Sequence, residues 1–163
     1  MSLARGETLR FRREGEASRC RRLLLLADES EAMVARYLPR GELWVAERGK
    51  ALCAVAVLTD EGGGLCELKN LAVAPECQRQ GVGRRFVAFL CGHYAARFRE
   101  MRVGTGETPR TIGFYRACGF RPFGRLRGFF TEHYAAPIVD DGVLLRDMVL
   151  LHRTIQRGGG MEG

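Results

Sequence analysis

A chain of 163 residues, 46% hydrophobic and 28% charged, has the size and make-up of one globular domain with a single core, which excludes a disordered chain. Twenty-six Lys and Arg against nineteen Asp and Glu leave a formal charge of +7, which suits a polyanionic partner: nucleic acid, a membrane surface or a phosphorylated cofactor. The longest strongly apolar run, Leu23 to Ala27, is too short to cross a bilayer, and the charged start (Arg5, Glu7, Arg10, Arg12, Arg13) has no apolar stretch behind it as a signal peptide requires.

In chain order, Leu9 and Phe11 alternate with charged neighbours, so a first strand is expected over Glu7 to Arg13. From Ser18 a helix follows, with Cys20, Leu23, Leu24 and Ala27 on one face. Ser30 caps a second short helix that Pro39 stops. Leu43 to Glu47 and Ala51 to Leu58 read as a hairpin about Gly49-Lys50, and Gly62-Gly63-Gly64 turns the chain into a strand from Leu65 to Val73. After the turn Gln78 to Gly83, a helix to about Arg97 carries the stripe Val87, Leu90, Cys91, Tyr94 and Phe98. Met101 to Gly104 is a short strand. Thr108-Pro109 opens a helix that stops at Gly119, where a left-handed residue is wanted. Strand is expected around Phe120 to Phe130, a loop through Tyr134, Pro137 and Asp140, and a last strand over Val143 to Leu151. Residues 1–155 then form one domain, and 156–163, with Gly158-Gly159-Gly160, a disordered tail. Interleaved helices and strands place the fold in the α/β or α+β class.

Six scattered cysteines show neither Cys-x-x-Cys nor a Cys/His pair at zinc spacing, so a reduced, cytoplasmic protein with no metal is expected. Only two lysines are present, Lys50 and Lys69, so the basic excess is arginine. Arg79, Arg84 and Arg85 flank a glycine-rich turn, and no basic run with interleaved aromatics marks a nucleic-acid surface.

The strongest local signal is strand, glycine-rich turn, helix at residues 68–90. A helix start offers unpaired N–H groups and a positive dipole end, and Gly81 and Gly83 let backbone approach an anion closely. The turn is not a Walker loop, because the Gly-Lys-Ser/Thr ending is absent. Nor is it the dinucleotide fingerprint, because Phe86 stands where a third small residue belongs. Taken alone, such a turn is as compatible with tight packing as with phosphate binding.

Two motifs go further. Leu68-Lys69-Asn70-Leu71-Ala72-Val73-Ala74-Pro75 followed by Gln78-x-x-Gly81-x-Gly83 resembles the central motif of the GNAT superfamily of acetyl-CoA-dependent N-acetyltransferases. Ile112 to Phe120 is similar to that family's Phe-Tyr-x-x-x-Gly-Phe, in the expected order and about thirty residues on, with Thr108 where many members carry Asn. The close resemblance spans Leu65 to Phe123. It implies a mixed, mostly antiparallel sheet flanked by helices and splayed in the middle for CoA. The implied cofactor contacts are the backbone of Leu71, Ala72 and Val73 for the pantetheine arm, and Gln78, Arg79, Gln80, Gly81, Val82, Gly83 and Arg84 for the pyrophosphate.

Tyr115 matches the position that protonates the departing thiolate in many relatives, and Glu67 the position where several place the general base. Glu67 has a plainer role open to it, pairing with Lys69 on the same strand face. Glu132, Asp140, Asp141 and His133 are rivals in the late loop, where Phe129 and Phe130 either wall the acceptor site or complete the core. The resemblance implies acetyl-CoA as co-substrate and a small-molecule or peptide amine as acceptor, with homodimers common in the family. It leaves open a silent acyl-CoA sensor. Specific nucleic-acid or membrane partners are not expected.

Overall fold

The computed structural model describes residues 8–156, so Glu7 and the glycines of the tail lie outside the described residues. Strand β1, Leu9–Arg13, leads through a 3-10 turn, Ala17–Cys20, into α1, Arg21–Ala27. Cys20, Leu23 and Leu24 of the expected apolar face are buried, but Ala27, at the open end of the helix, is exposed. Ser30 caps α2, Glu31–Tyr37, its Oγ accepting from Met33 N at 3.1 Å, and the proline-bearing turn Leu38–Arg40 ends it. The hairpin β2, Gly41–Arg48, with β3, Ala51–Gly62, and then β4, Leu65–Val73, match the apolar runs of the sequence. Helix α3, Val82–Tyr94, follows the glycine turn and buries its whole expected stripe, including Phe98 just beyond it.

Then come β5, Glu100–Gly106, and α4, Pro109–Ala117, whose cap Thr108 accepts from Thr111 N at 3.1 Å and which ends at Gly119 with φ +92°. The last third departs from expectation. The strand expected to run to Phe130 stops at β6, Arg121–Leu126, and Phe129–His133 forms a helical turn, α5. Gly128, at φ +67°, reverses the chain there, and Asp147 Oδ1 accepts from its N–H at 2.9 Å. The expected loop holds a ribbon of β7, Val139–Asp140, and β8, Val143–Leu144. The final strand starts later, as β9, Met148–Thr154.

The main sheet runs β1-β2-β3-β4-β5-β9-β6, antiparallel throughout except for β4 with β5. Helix α1 packs behind Asn70 of β4, while α3 and α4 lie on the Val73 side, so helices cover both faces. This is the expected mixed, mostly antiparallel sheet. Its centre is split: β4 pairs with β5 only from Leu65–Glu100 to Leu68–Val103. A register shift against β3 falls at Lys69, the next residue, and beyond it β4 and β5 run on without pairing each other. An extra residue in one strand increases twist and ends pairing locally, which accounts for the splay at this point.

Candidate active site

The split and the glycine turn meet at a cleft of about 320 Å³. One wall is Leu71 and Val73 of β4; another is Cys77, Gln78 and Arg79 of the turn with Val82 and Gly83 of α3. Arg110, Thr111, Phe114 and Tyr115 of α4 form the third, and Asp140 reaches in from the ribbon. The turn is built to hold its shape. Gln78 Nε2 donates to Val73 O at 3.0 Å, Gln80 Nε2 to Glu76 O at 3.0 Å, and Arg48 Nη1 to Gln80 Oε1 at 3.0 Å. Arg79 (φ +63°) and Gly81 (φ +79°) are both left-handed, and an arginine in that region is uncommon outside sites that impose it. A Cβ on Gly83 would stand 3.1 Å from the Phe114 ring, so glycine lets α3 and α4 close together around the cleft.

Of the residues read from the sequence as cofactor contacts, Leu71, Val73, Gln78, Arg79, Val82 and Gly83 line this cleft. Ala72 turns its side chain into the core, so only its backbone is available. Gln80, Gly81 and Arg84 lie in or beside the turn but do not line the cleft. The fit to a pantetheine and pyrophosphate is good on these grounds: an unpaired strand edge leads to the amino end of a thirteen-residue helix, whose first turn presents free N–H groups.

Tyr115 lines the cleft and is buried, its ring edge-on to Phe114 and Phe120 at 5.0 and 5.7 Å. Burial pushes its phenol well above the usual tyrosine value, with the neighbouring Cys118 adding to the shift, so it stays protonated at neutral pH. Glu67 does not line this cleft. It pairs with Lys69 at 3.2 Å and lines a neighbouring cavity of about 350 Å³ with Asp28, Tyr37 and Tyr134. Of the rivals, Asp140 lines the cleft, while Asp141, Glu132 and His133 line none of the cavities at the split. Phe130, buried, and Phe129, half-buried, each wall a cavity beside the split, and neither joins the main core cluster.

Sequence reasoning missed Cys77, Arg110, Thr111 and Phe114 as lining residues. The signal was there for Thr111, four residues before Tyr115 and so on the same helix face. Asp28 had no signal, since a lone acid between two short helices is ordinary in sequence.

A family model for the acetyltransferase (GNAT) domain matches residues 39–122. The chain is also 35% identical over 132 residues to an uncharacterised N-acetyltransferase of Bacillus subtilis strain 168, YvbK, covering 80% of this chain and 85% of that one. The chain belongs to the GNAT acetyltransferase family. As a member it is an acetyl-CoA-dependent N-acetyltransferase by class, on the fold expected from its motifs. Among solved structures, a Bacillus subtilis acetyltransferase in complex with CoA superimposes with a TM-score of 0.84 at 33% identity, covering 90% of this chain and 99% of that one. A GNAT acetyltransferase from Elizabethkingia anophelis with acetyl-CoA bound gives 0.85 at 28% identity, with 90% and 97% covered. Among the described residues no group of His, Cys, Asp and Glu is placed to hold a metal ion, and no helix is long and apolar enough to cross a membrane.

Proposed function

We propose that this GNAT acetyltransferase transfers the acetyl group of acetyl-CoA to a primary amine, by direct attack in a ternary complex. The observation that carries the reading is the split between β4 and β5, which opens an unpaired strand edge onto the same cleft as the α3 amino end and Tyr115. The β4 backbone around Leu71 to Val73 would take the pantetheine arm, and the N–H groups from Gln78 to Arg84 the pyrophosphate. A β4 N–H turned into the split would donate to the thioester carbonyl, which gathers negative charge as the amine adds.

The amine nitrogen forms its bond to the carbonyl carbon, the carbon–sulfur bond breaks, and the electron pair leaves on sulfur. Tyr115, kept protonated by its burial, donates its proton to that sulfur, and the second proton that the nitrogen sheds on becoming an amide restores the phenol. The arriving ammonium must first lose a proton. Glu67 would take it through water from the adjoining cavity, since its carboxylate is turned to that side and to Lys69. Cys77, the cysteine that lines the cleft, is not set to carry the acyl group, because burial pushes its thiol up and away from the thiolate.

Thermal unfolding with and without acetyl-CoA tests the reading, with NADH and ATP as controls. At a hundred times its dissociation constant, a ligand adds about 2.7 kcal/mol, a shift of roughly 5–10 °C at this chain length. A shift with acetyl-CoA alone, followed by amine-dependent thiol release, is the expected result. No shift at saturating acetyl-CoA overturns it.

A further inference from the structure

Beside the cofactor cleft, and sharing Leu71, Thr111 and Asp140 with it, lies a second cavity of about 280 Å³ that reaches from the split in the sheet to Asp28, at the end of α1. It shares Asp28, Lys69 and Tyr134 with the cavity that Glu67 lines, so the three are contiguous. The charge of the two beside the cleft is opposite to that of the molecule. In a chain of net +7, the two cavities beside the cleft carry the carboxylates of Asp28, Glu29, Glu67 and Asp140 against the cations of Lys69 and Arg102. Both cations are already engaged, Lys69 with Glu67 at 3.2 Å and Arg102 with Glu100 at 3.6 Å.

Asp28 is different from the other acids. It is half-buried, yet among the described residues no cation pairs with it. Its carboxylate is fixed instead by neutral donors: Tyr134 Oη at 2.8 Å, Tyr37 Oη at 3.2 Å and Ser30 N at 3.2 Å. The Tyr37 oxygen in turn accepts from Asn70 Nδ2 at 2.9 Å, and Asn70 Oδ1 is buried with no hydrogen-bond partner of its own. Burial pushes both phenols above the usual tyrosine value, so they remain donors across the neutral range. A carboxylate held rigidly in a part-desolvated cavity, with lone pairs to spare and no counter-charge, is set to receive a cation.

Resting on the acetyl-transfer reading above, we propose that this cavity is the acceptor site and that it takes a small aliphatic diamine. One ammonium sits on the Asp28 carboxylate, and the other nitrogen reaches the thioester at Leu71. The size of the cavity fits a short chain rather than a protein surface. Asp28 binds substrate, whereas Tyr37 and Tyr134 are positioning residues that hold its carboxylate.

The test compares 1,4-diaminobutane with 1-aminobutane as acceptors for the full-length protein, with acetyl-CoA affinity scored separately by calorimetry. The wild type should favour the diamine at least tenfold in kcat/KM. Asp28→Asn should raise KM for the diamine at least tenfold and erase the preference, while leaving acetyl-CoA affinity as it was. Tyr134→Phe, which removes one donor and keeps the charge, should raise the diamine KM about threefold with kcat little changed. A purely structural role for either residue would move both amines together. Equal use of the two amines overturns the proposal, as does an Asp28→Asn enzyme that keeps the preference, or turnover of neither amine by a protein that binds acetyl-CoA. Failure to bind acetyl-CoA in the first place would instead sink the acetyl-transfer reading.

Discussion

Two side chains, Tyr115 in the cleft and Glu67 in the cavity beside it, have roles that single substitutions separate. If Tyr115 supplies the proton to the leaving sulfur, Tyr115→Phe keeps the ring against Phe114 and Phe120 and removes only the donor. Turnover should fall on the order of a hundredfold, the usual range for loss of a general acid, with acetyl-CoA affinity nearly intact. Steady-state kinetics beside calorimetry checks this, and unchanged turnover would remove Tyr115 from the acid role. Glu67 makes a contrasting case. Glu67→Gln breaks the pair with Lys69, a contact between partly exposed groups worth little in stability. A rate that falls without a fall in melting temperature would support the base role, and an unchanged rate would leave Glu67 as the partner of Lys69 only. Position in a motif pointed to both residues. What sequence could not give was Glu67's displacement from the cofactor cleft, because strand alternation fixes a face but not which cavity that face meets.

At the scale of elements, the site depends on two helix starts that were legible from local chemistry. Thr108-Pro109 and Gly81-x-Gly83 declare where α4 and α3 begin, because caps and left-handed turns are decided by the residues themselves. Thr108→Ala should cost about 1 kcal/mol, the usual worth of such a cap, and loosen the turn that carries Thr111 and leads to Tyr115. Gly81→Glu tests the other. Open space surrounds its Cβ position, so the side chain clashes with nothing, but φ +79° strains any residue bearing a Cβ. The added carboxylate stands at the amino end of α3, where a pyrophosphate would be repelled. Acetyl-CoA affinity should drop at least a hundredfold while the fold survives; wild-type affinity would place the pyrophosphate elsewhere. The elements misjudged from sequence are those decided at long range. Phe129 and Phe130 look like strand residues by type, but Gly128 and its bond to Asp147, nineteen residues away, set a helical turn there. The split in the sheet was legible only through the family resemblance. Its cause, the extra residue at Lys69, depends on register with β3 and is invisible in the composition of β4.

For the whole molecule, the arginine-rich surface ties stability to its carboxylates. Glu47, buried in β2, accepts from Arg12 Nε at 2.8 Å and lies 2.8 Å from Arg19, joining β1, the turn before α1 and the sheet. The hydrogen bond from Arg12, with that from Arg19, outweighs desolvation and brings the Glu47 carboxyl down to about 2. Glu14, Glu42, Glu61, Glu107 and Asp147 are lowered as well. A carboxyl whose folded value is depressed adds stability that is fully present above its unfolded value and disappears as pH falls through the folded one. Urea unfolding midpoints should therefore be level from pH 7 to about 5 and decline from there toward pH 2, steepened by the growing positive charge of a chain already at +7. Glu47→Gln isolates the largest of these contributions. At pH 7 it should cost about 2 kcal/mol, since the arginines it leaves are part-exposed and can be rehydrated. That deficit should narrow steadily below pH 5 and approach zero near pH 2, where the wild-type carboxyl is itself taking up a proton. A deficit that stays constant over the whole range would mean that Glu47 stabilises by packing, and that the charge linking β1 to the sheet contributes nothing.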